Sequence, residues 1–288
     1  MTQEIPAGRN IIPIEQADAL TLTLFHSRRD ADLAHAFEPA PGAFIAESAK
    51  VSLRALAAGY EPIAVLVEEE QLAHDAQPLL AALKNIKAVP VYTASHENYL
   101  AIAGYPMTRG VLCAFRRKAC PSVRELLAPF RVQTKSRIAV LDHVVNPANT
   151  GSIFRNAAAL GFDAVILGEG TCDPLARRCL RVSMGTVLQL PWTRGDAAWI
   201  TALKEMNYKT VAMALTEKTV PLNDPAVKAA DKLAVILGNE GDGLSEEIIR
   251  ACDYTVKIPM QHGVDSLNVA AASAIAFWEL RIEDGSAS

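Results

Sequence analysis

The chain has 288 residues, 50% of them apolar and 21% charged, with a formal net charge of −4. That is the profile of soluble domains with sizeable cores; it excludes a disordered or low-complexity chain, and no apolar run approaches the roughly 20 residues a membrane helix needs. The acidic total excludes a uniformly basic nucleic-acid binder but leaves room for a local basic face.

Residues 1–41 carry few regular signals, and the Pro-rich EPAPG at 38–42 reads as an entry loop. The first residues lack the basic region and long apolar run of a secretory leader, so a soluble, cytoplasmic protein is expected. From Phe44 the pattern predicts a helix over Ser48–Ala58 closed by Gly59, then a strand at 64–68. A helix at about 78–84, a strand at 89–93, a short helix near 96–102 and a strand at 110–115 follow. This alternation implies a small three-layer α/β domain. A boundary is expected near 132/133, giving an N-terminal extension plus small domain over 1–132 and a second domain over 133–288.

Between Arg109 and Arg137 stand eight basic residues and one acid, Glu125. This stretch is either a solvated linker or a phosphate-facing strip, with Arg116, Arg117 and Lys118 at its centre. The six His and five Cys contain no C-x-x-C and fit no common zinc spacing; the cysteines read as reduced core residues, and no metal site is expected.

A second alternation begins at Arg137. Strands are expected at 138–144, 163–168, 187–192, 209–215, 233–238 and 254–259, with helices at about 151–160, 174–180, 196–206, 225–230, 245–251 and 266–281. Continuous Val/Ile/Leu/Ala runs call for a parallel sheet covered on both faces, with ligands beyond the carboxyl ends of its strands. Three of those ends carry unusual loops.

In DHVVNPANTGSIFRNAAALG (142–161), Asn149 or Thr150 is placed to cap a helix that Gly161 ends. Arg155, near the helix start, either snorkels to solvent or contacts an anionic substrate. In LGNEGDGLSEE (237–247), Gly238, Gly241 and Gly243 follow a buried strand in a pattern that is neither a dinucleotide fingerprint nor a P-loop. Ser245 reads as a helix cap there. In IPMQHGVDSLNVAAASAIAFWEL (258–280), Asp265 or Ser266 is placed to cap a long helix, with Asn268 in its first turn.

Together these loops resemble the three motifs of the SpoU/TrmH family of RNA 2′-O-ribose methyltransferases. The matches are D-x-x-x-N-P-x-N-x-G-x-x-x-R (Asp142 to Arg155), L-G-N-E-G-x-G-L-S (Leu237 to Ser245) and I-P-M…S-L-N-V-A-x-A (Ile258 to Ala272). RVSMGTV (Arg181–Val187) looks like the family's R-x-S-x-G, and FIAESAKVSLRALAAGYEPIAVLVE like the small RNA-binding domain many members carry. The resemblance implies an α/β parallel-sheet domain threaded into a trefoil knot. It implies S-adenosyl-L-methionine as cofactor, contacted at Leu215, Gly238, Ile258 and Leu267. It implies a homodimer, an RNA substrate (ribosomal RNA or tRNA, with the N-terminal domain favouring the former), and no metal. Arg155 falls at the position assigned to the 2′-hydroxyl, with Asn149 holding it and Glu240, Ser266 and Asn268 completing a polar wall. Arg116, Arg117 and Lys118 become the expected RNA contacts. The alternative is a non-catalytic RNA-binding or ribosome-assembly protein that keeps the knotted fold.

Overall fold

The computed structural model describes residues 11–26, 30–35, 42–86, 89–104, 110–195, 198–216, 219–262 and 266–283. The EPAPG loop, Arg109 and Asp265 lie outside these residues, EPAPG but for Gly42. Two units form: Met1–Ala119 with Leu175–Leu188, and Cys120–Pro174 with Gln189–Ser288. The division thus falls at Ala119/Cys120 and not at 132/133, and a 14-residue segment of the second half, 175–188, joins the first unit.

The first unit contains β1 (Ile11–Pro13), α1 (Ala19–Phe25), α2 (Asp30–Ala34), β2 (Ala43–Glu47), α3 (Ala49–Ala57), β3 (Pro62–Glu68), α4 (Gln77–Leu83), β4 (Val91–Ala94), α5 (His96–Ala103) and β5 (Val111–Arg116). They form a five-stranded mixed sheet in the order β1-β4-β3-β5-β2. Strand β3 runs parallel to β4 on one side and antiparallel to β5 on the other. Strand β2 is an element that pattern alone does not predict. All five of its residues are buried, although it lies at the sheet edge, so its AFIAE lacks the alternation of a half-exposed strand.

The second unit begins with α6 (Val123–Leu127), β6 (Ser136–Leu141), α7 (Pro147–Ala159) and β7 (Ala164–Leu167). After α8 (Arg177–Val182), which belongs to the first unit, it resumes with β8 (Trp192–Arg194), α9 (Trp199–Glu205), β9 (Lys209–Met213), β10 (Val220–Pro221) and α10 (Pro225–Lys228). It closes with β11 (Lys232–Leu237), α11 (Glu246–Ala251), β12 (Tyr254–Lys257) and α12 (Val269–Leu280). Seven strands form one sheet, β10-β12-β9-β11-β6-β7-β8, with every pairing parallel. The expected buried parallel sheet is present, and β6 and β7 are buried along their whole length.

Several local expectations are corrected. The strand expected at 187–192 is a 3-10 turn at Thr186–Leu188 followed by β8. Helix α7 starts four residues early: Pro147 takes its first turn, where a missing N–H costs nothing, and Asn146 Oδ1 accepts from Ala148 N (2.9 Å). Asn146, and neither Asn149 nor Thr150, is therefore the cap. Helix α12, by contrast, starts three residues late, at Val269 with Asn268 as its cap, so Ser266 lies outside the helix. Gly161 does end α7 in the left-handed conformation, at φ +74°.

The basic strip also divides. Arg137 is 4% exposed, and its guanidinium donates to the carbonyls of Leu280 (2.6 Å), Asp231 (2.6 Å) and Ser136 (3.1 Å). Burial lowers its pKa, partly opposed by Asp163 and Asp231. It is a buried clamp on the end of α12 and cannot face a phosphate.

Candidate functional site

The carboxyl ends of β9, β11 and β12 open into one cleft of about 410 Å³. Leu215, Gly238, Ile258 and Leu267, the four expected cofactor residues, all line it, and so do Glu240, Ser266 and Asn268. Leu215 is 61% and Leu267 37% exposed, which leaves two large apolar side chains bare at the mouth of a cleft. Such surface is available to cover the face of a flat ring system. Carboxylates of Glu240 and Asp242 line the same space and suit a cationic ligand.

The glycines of GNEGDG have different physical reasons. A side chain on Gly238 would meet the backbone of Gly243 at 2.5 Å, so the loop's own return path requires it. Gly243 has φ +72° with open space around it, so conformation alone selects it. Gly241 is exposed, and its N–H donates to Asn239 Oδ1 (2.7 Å). Gly238 is therefore required whether or not a ligand approaches it.

Asn149 is the junction of the polar wall. Its Nδ2 donates to Glu240 Oε1 (2.7 Å), and its Oδ1 accepts from Asn268 Nδ2 (3.1 Å). Asn268 in turn caps α12, its Oδ1 accepting from Ala270 N (3.0 Å) and Ala271 N (3.4 Å). One residue from each of the three motifs is thus joined in a single chain of hydrogen bonds. A second tie between the same helices is Asn156, whose Nδ2 donates to Ala270 O (3.0 Å) and Ser273 Oγ (2.9 Å).

Arg155 is not part of that chain. It is exposed, does not line the cleft, and makes no hydrogen bond or ion pair among the described residues. Asn149 holds Glu240 and Asn268, and not Arg155 as expected. The two are six positions apart on α7, about 240° around the helix, so their side chains diverge. Arg155 is an uncommitted guanidinium.

In the first unit the three expected RNA contacts serve local structure. Arg116 lies 3.5 Å from Glu61, Arg117 Nε donates to Ala43 O (2.9 Å), and Lys118 Nζ donates to Ala58 O (2.6 Å) while sitting 4.6 Å from the centre of the Tyr60 ring. Arg116 and Lys118 stay exposed. RVSMGTV lies in this unit as well: Arg181 Nη1 is 2.9 Å from buried Glu47, and Arg54 donates to Met184 O. Cys172, beside Thr150 Oγ1 at 3.1 Å, has its thiol pKa raised by burial and is a packing group, not a nucleophile.

Residues 136–278 match the sequence profile of the SpoU rRNA Methylase family. The chain is 40% identical over 239 residues to a Mycobacterium bovis protein named an uncharacterized tRNA/rRNA methyltransferase, covering 82% of this chain and 79% of that one. A 23S rRNA (guanosine(2553)-2′-O)-methyltransferase of Bacillus subtilis is 32% identical across 52% of this chain and 60% of its own. The crystal structure of AdoMet-bound rRNA methyltransferase from Sinorhizobium meliloti shares the fold, with a TM-score of 0.75 at 22% identity over 94% of this chain and 97% of that one.

Proposed function

The chain belongs to the SpoU rRNA methylase family, with its parallel-sheet trefoil-knot fold, and from that premise we propose how its cleft works as a methyltransferase. It is an S-adenosylmethionine-dependent enzyme that methylates a ribose 2′-hydroxyl of RNA. Ribosomal RNA is the substrate we favour, because two relatives, from Bacillus subtilis and Acinetobacter baylyi, are named 23S rRNA 2′-O-methyltransferases. The cytoplasm is its proposed location; no helix among the described residues is long and apolar enough to cross a membrane.

One observation carries the reading. The four expected cofactor residues and three of the five expected catalytic ones line a single cleft, and Asn149 is hydrogen-bonded to two of those three. The cleft fits the cofactor: bare Leu215 and Leu267 offer an apolar face to the adenine, Gly238 and Ile258 the floor, and Glu240 and Asp242 a negative field for the sulfonium. Bound there, S-adenosylmethionine supplies a methyl group already activated by its cationic sulfur.

The protein's tasks are then alignment and management of the hydroxyl proton. A guanidinium stays protonated, so Arg155 does not serve as the base. It donates instead to a phosphate of the target and orients the 2′-hydroxyl, while a phosphate oxygen or solvent takes the proton. Because Arg155 does not line its own cleft, it serves the cleft of a second copy. The packed pair α7 and α12 supports this arrangement, since α7 carries the free arginine and α12 the exposed Ile275 (42%) and Trp278 (57%). A homodimer formed through these helices covers the apolar side chains and carries each Arg155 to its partner.

Mapping ribose methylation across total RNA, with and without the gene, tests the function. Loss of methylation at one ribosomal nucleotide is expected. An unchanged map together with no cofactor binding by calorimetry would favour the non-catalytic alternative.

A further inference from the structure

Strand β6 ends at Leu141, and the next two residues form a construction that the methyl-transfer reading does not use. Asp142 is 4% exposed, and its Oδ2 lies 2.8 Å from His143 Nδ1. His143 has φ +54°, a left-handed conformation that residues with a side chain rarely adopt and that Asn tolerates best. Four features hold it there. The carboxylate fixes the ring, and His143 N donates to Glu169 O (2.9 Å). Gly168 and Gly170 leave room: a side chain on the first would sit 2.3 Å from Asp142 Oδ1, and on the second 2.5 Å from His143 Cδ2. Finally, His143 O accepts from Asn239 Nδ2 (2.9 Å).

That last bond reaches the second motif. With its Nδ2 engaged, Asn239 turns its Oδ1 to accept from Gly241 N (2.7 Å) and Asp242 N (3.2 Å). Its backbone pairs with Gly243 in both directions, at 3.0 and 3.2 Å. The loop from Asn239 to Gly243 is therefore closed on itself and anchored outside itself on the His143 carbonyl. Glu240 stands on this loop, bonded to Asn149.

We propose that His143 is a positioning residue for methyl transfer: locked to Asp142 in a left-handed conformation, it aims its carbonyl at Asn239 and so sets the position of Glu240 and of the cleft floor. The inference rests on the function proposed above. His143 does not line the cofactor cleft; it acts through Asn239.

The test compares His143→Asn, His143→Gly and His143→Val by labelled methyl transfer to ribosomal RNA and by hydrogen exchange at the amides of Gly241, Asp242 and Gly243. Asn accepts the left-handed conformation and keeps a side-chain donor for Asp142, so it should retain kcat within about threefold. Val disfavours that conformation, and Gly permits it without the lock. Both should lose about tenfold or more in kcat, the scale of a small misplacement near a reacting group, with the KM for RNA within about twofold. Exchange at the three amides should quicken in both. Wild-type kcat and exchange in the Gly variant, or an Asn variant as impaired as the Val one, would overturn the proposal. Should the Val variant fail to fold, the Gly and Asn variants decide. A wild-type protein that transfers no methyl to RNA would instead overturn the underlying function, while the exchange measurement would still report on the anchor.

Discussion

Asn149 is the residue on which the cleft's polar side converges, and its amide is fully used: one end donates to Glu240, the other accepts from Asn268. Replacing it with Asp removes the donor and sets a second carboxylate against Glu240. We expect Asn149→Asp to lower methyl transfer by about tenfold to a hundredfold without unfolding the protein, read by single-turnover kinetics alongside thermal melting. Arg155 should behave differently, because it is exposed and uncommitted. Arg155→Ala should abolish transfer while S-adenosylmethionine affinity, measured by calorimetry, stays near the wild-type value. Equal loss of both would remove it from the role given. At this scale the sequence was most informative about identity and least about direction. The motifs name Asn149 and Arg155 together, but six positions along a helix send them to different sides, and only the completed fold makes that visible.

Among the elements, β12 is tied to β9 by a side chain that adds a pH dependence. Asp253 Oδ2 accepts from Thr210 N (2.9 Å) and Thr210 Oγ1 (2.8 Å), and Thr210 Oγ1 accepts from Asp253 N (3.0 Å). Burial acts to raise the carboxyl's pKa, but the bonds from Thr210 and Lys209 outweigh it and hold the group below its ordinary value. A lowered folded-state pKa contributes stability above the unfolded carboxyl's pKa of about 3.9, and that contribution is lost as pH falls through the folded value. Asp253→Asn should therefore cost about 1 kcal/mol in urea unfolding at pH 7, the scale of one such network bond. The difference from wild type should close below about pH 4; a constant difference would contradict this account. Most elements were legible from the chain because buried parallel strands are continuous apolar runs, as LAVILG before the second motif illustrates. Helix starts were less so: Asn146, Asn149, Ser266 and Asn268 are all credible caps by type, and which one is used depends on where proline and the strand end place the first turn.

For the whole molecule, the least legible feature was the return of Leu175–Leu188 to the first unit. Arg181 meeting Glu47, 134 positions away, leaves no periodic trace in the sequence. The knot is equally unreadable from pattern, because threading is a property of the closed path and not of any segment. The proposed dimer makes a direct prediction: Trp278→Glu places a charge on the exposed face of α12 and should shift the protein to monomer in sedimentation, with methyl transfer abolished as well. A dimer of unchanged strength would move the interface elsewhere. For RNA, Arg116, Arg117 and Lys118 are partly occupied by local partners. Neutralising all three should weaken binding and reduce the salt slope by about 0.7 for each single-strand phosphate no longer neutralised. An unchanged slope would return them to a purely structural role.

Whether the cleft lined by Glu240 and Asn268 directs a methyl group to a ribose hydroxyl is decided with purified protein, methyl-labelled S-adenosylmethionine and ribosomal RNA. Digestion to nucleosides and mass spectrometry then locate the label. A single 2′-O-methylated nucleoside is expected, absent with Arg155→Ala. Label on a base, or no label on RNA under conditions where the cofactor is bound, would contradict it.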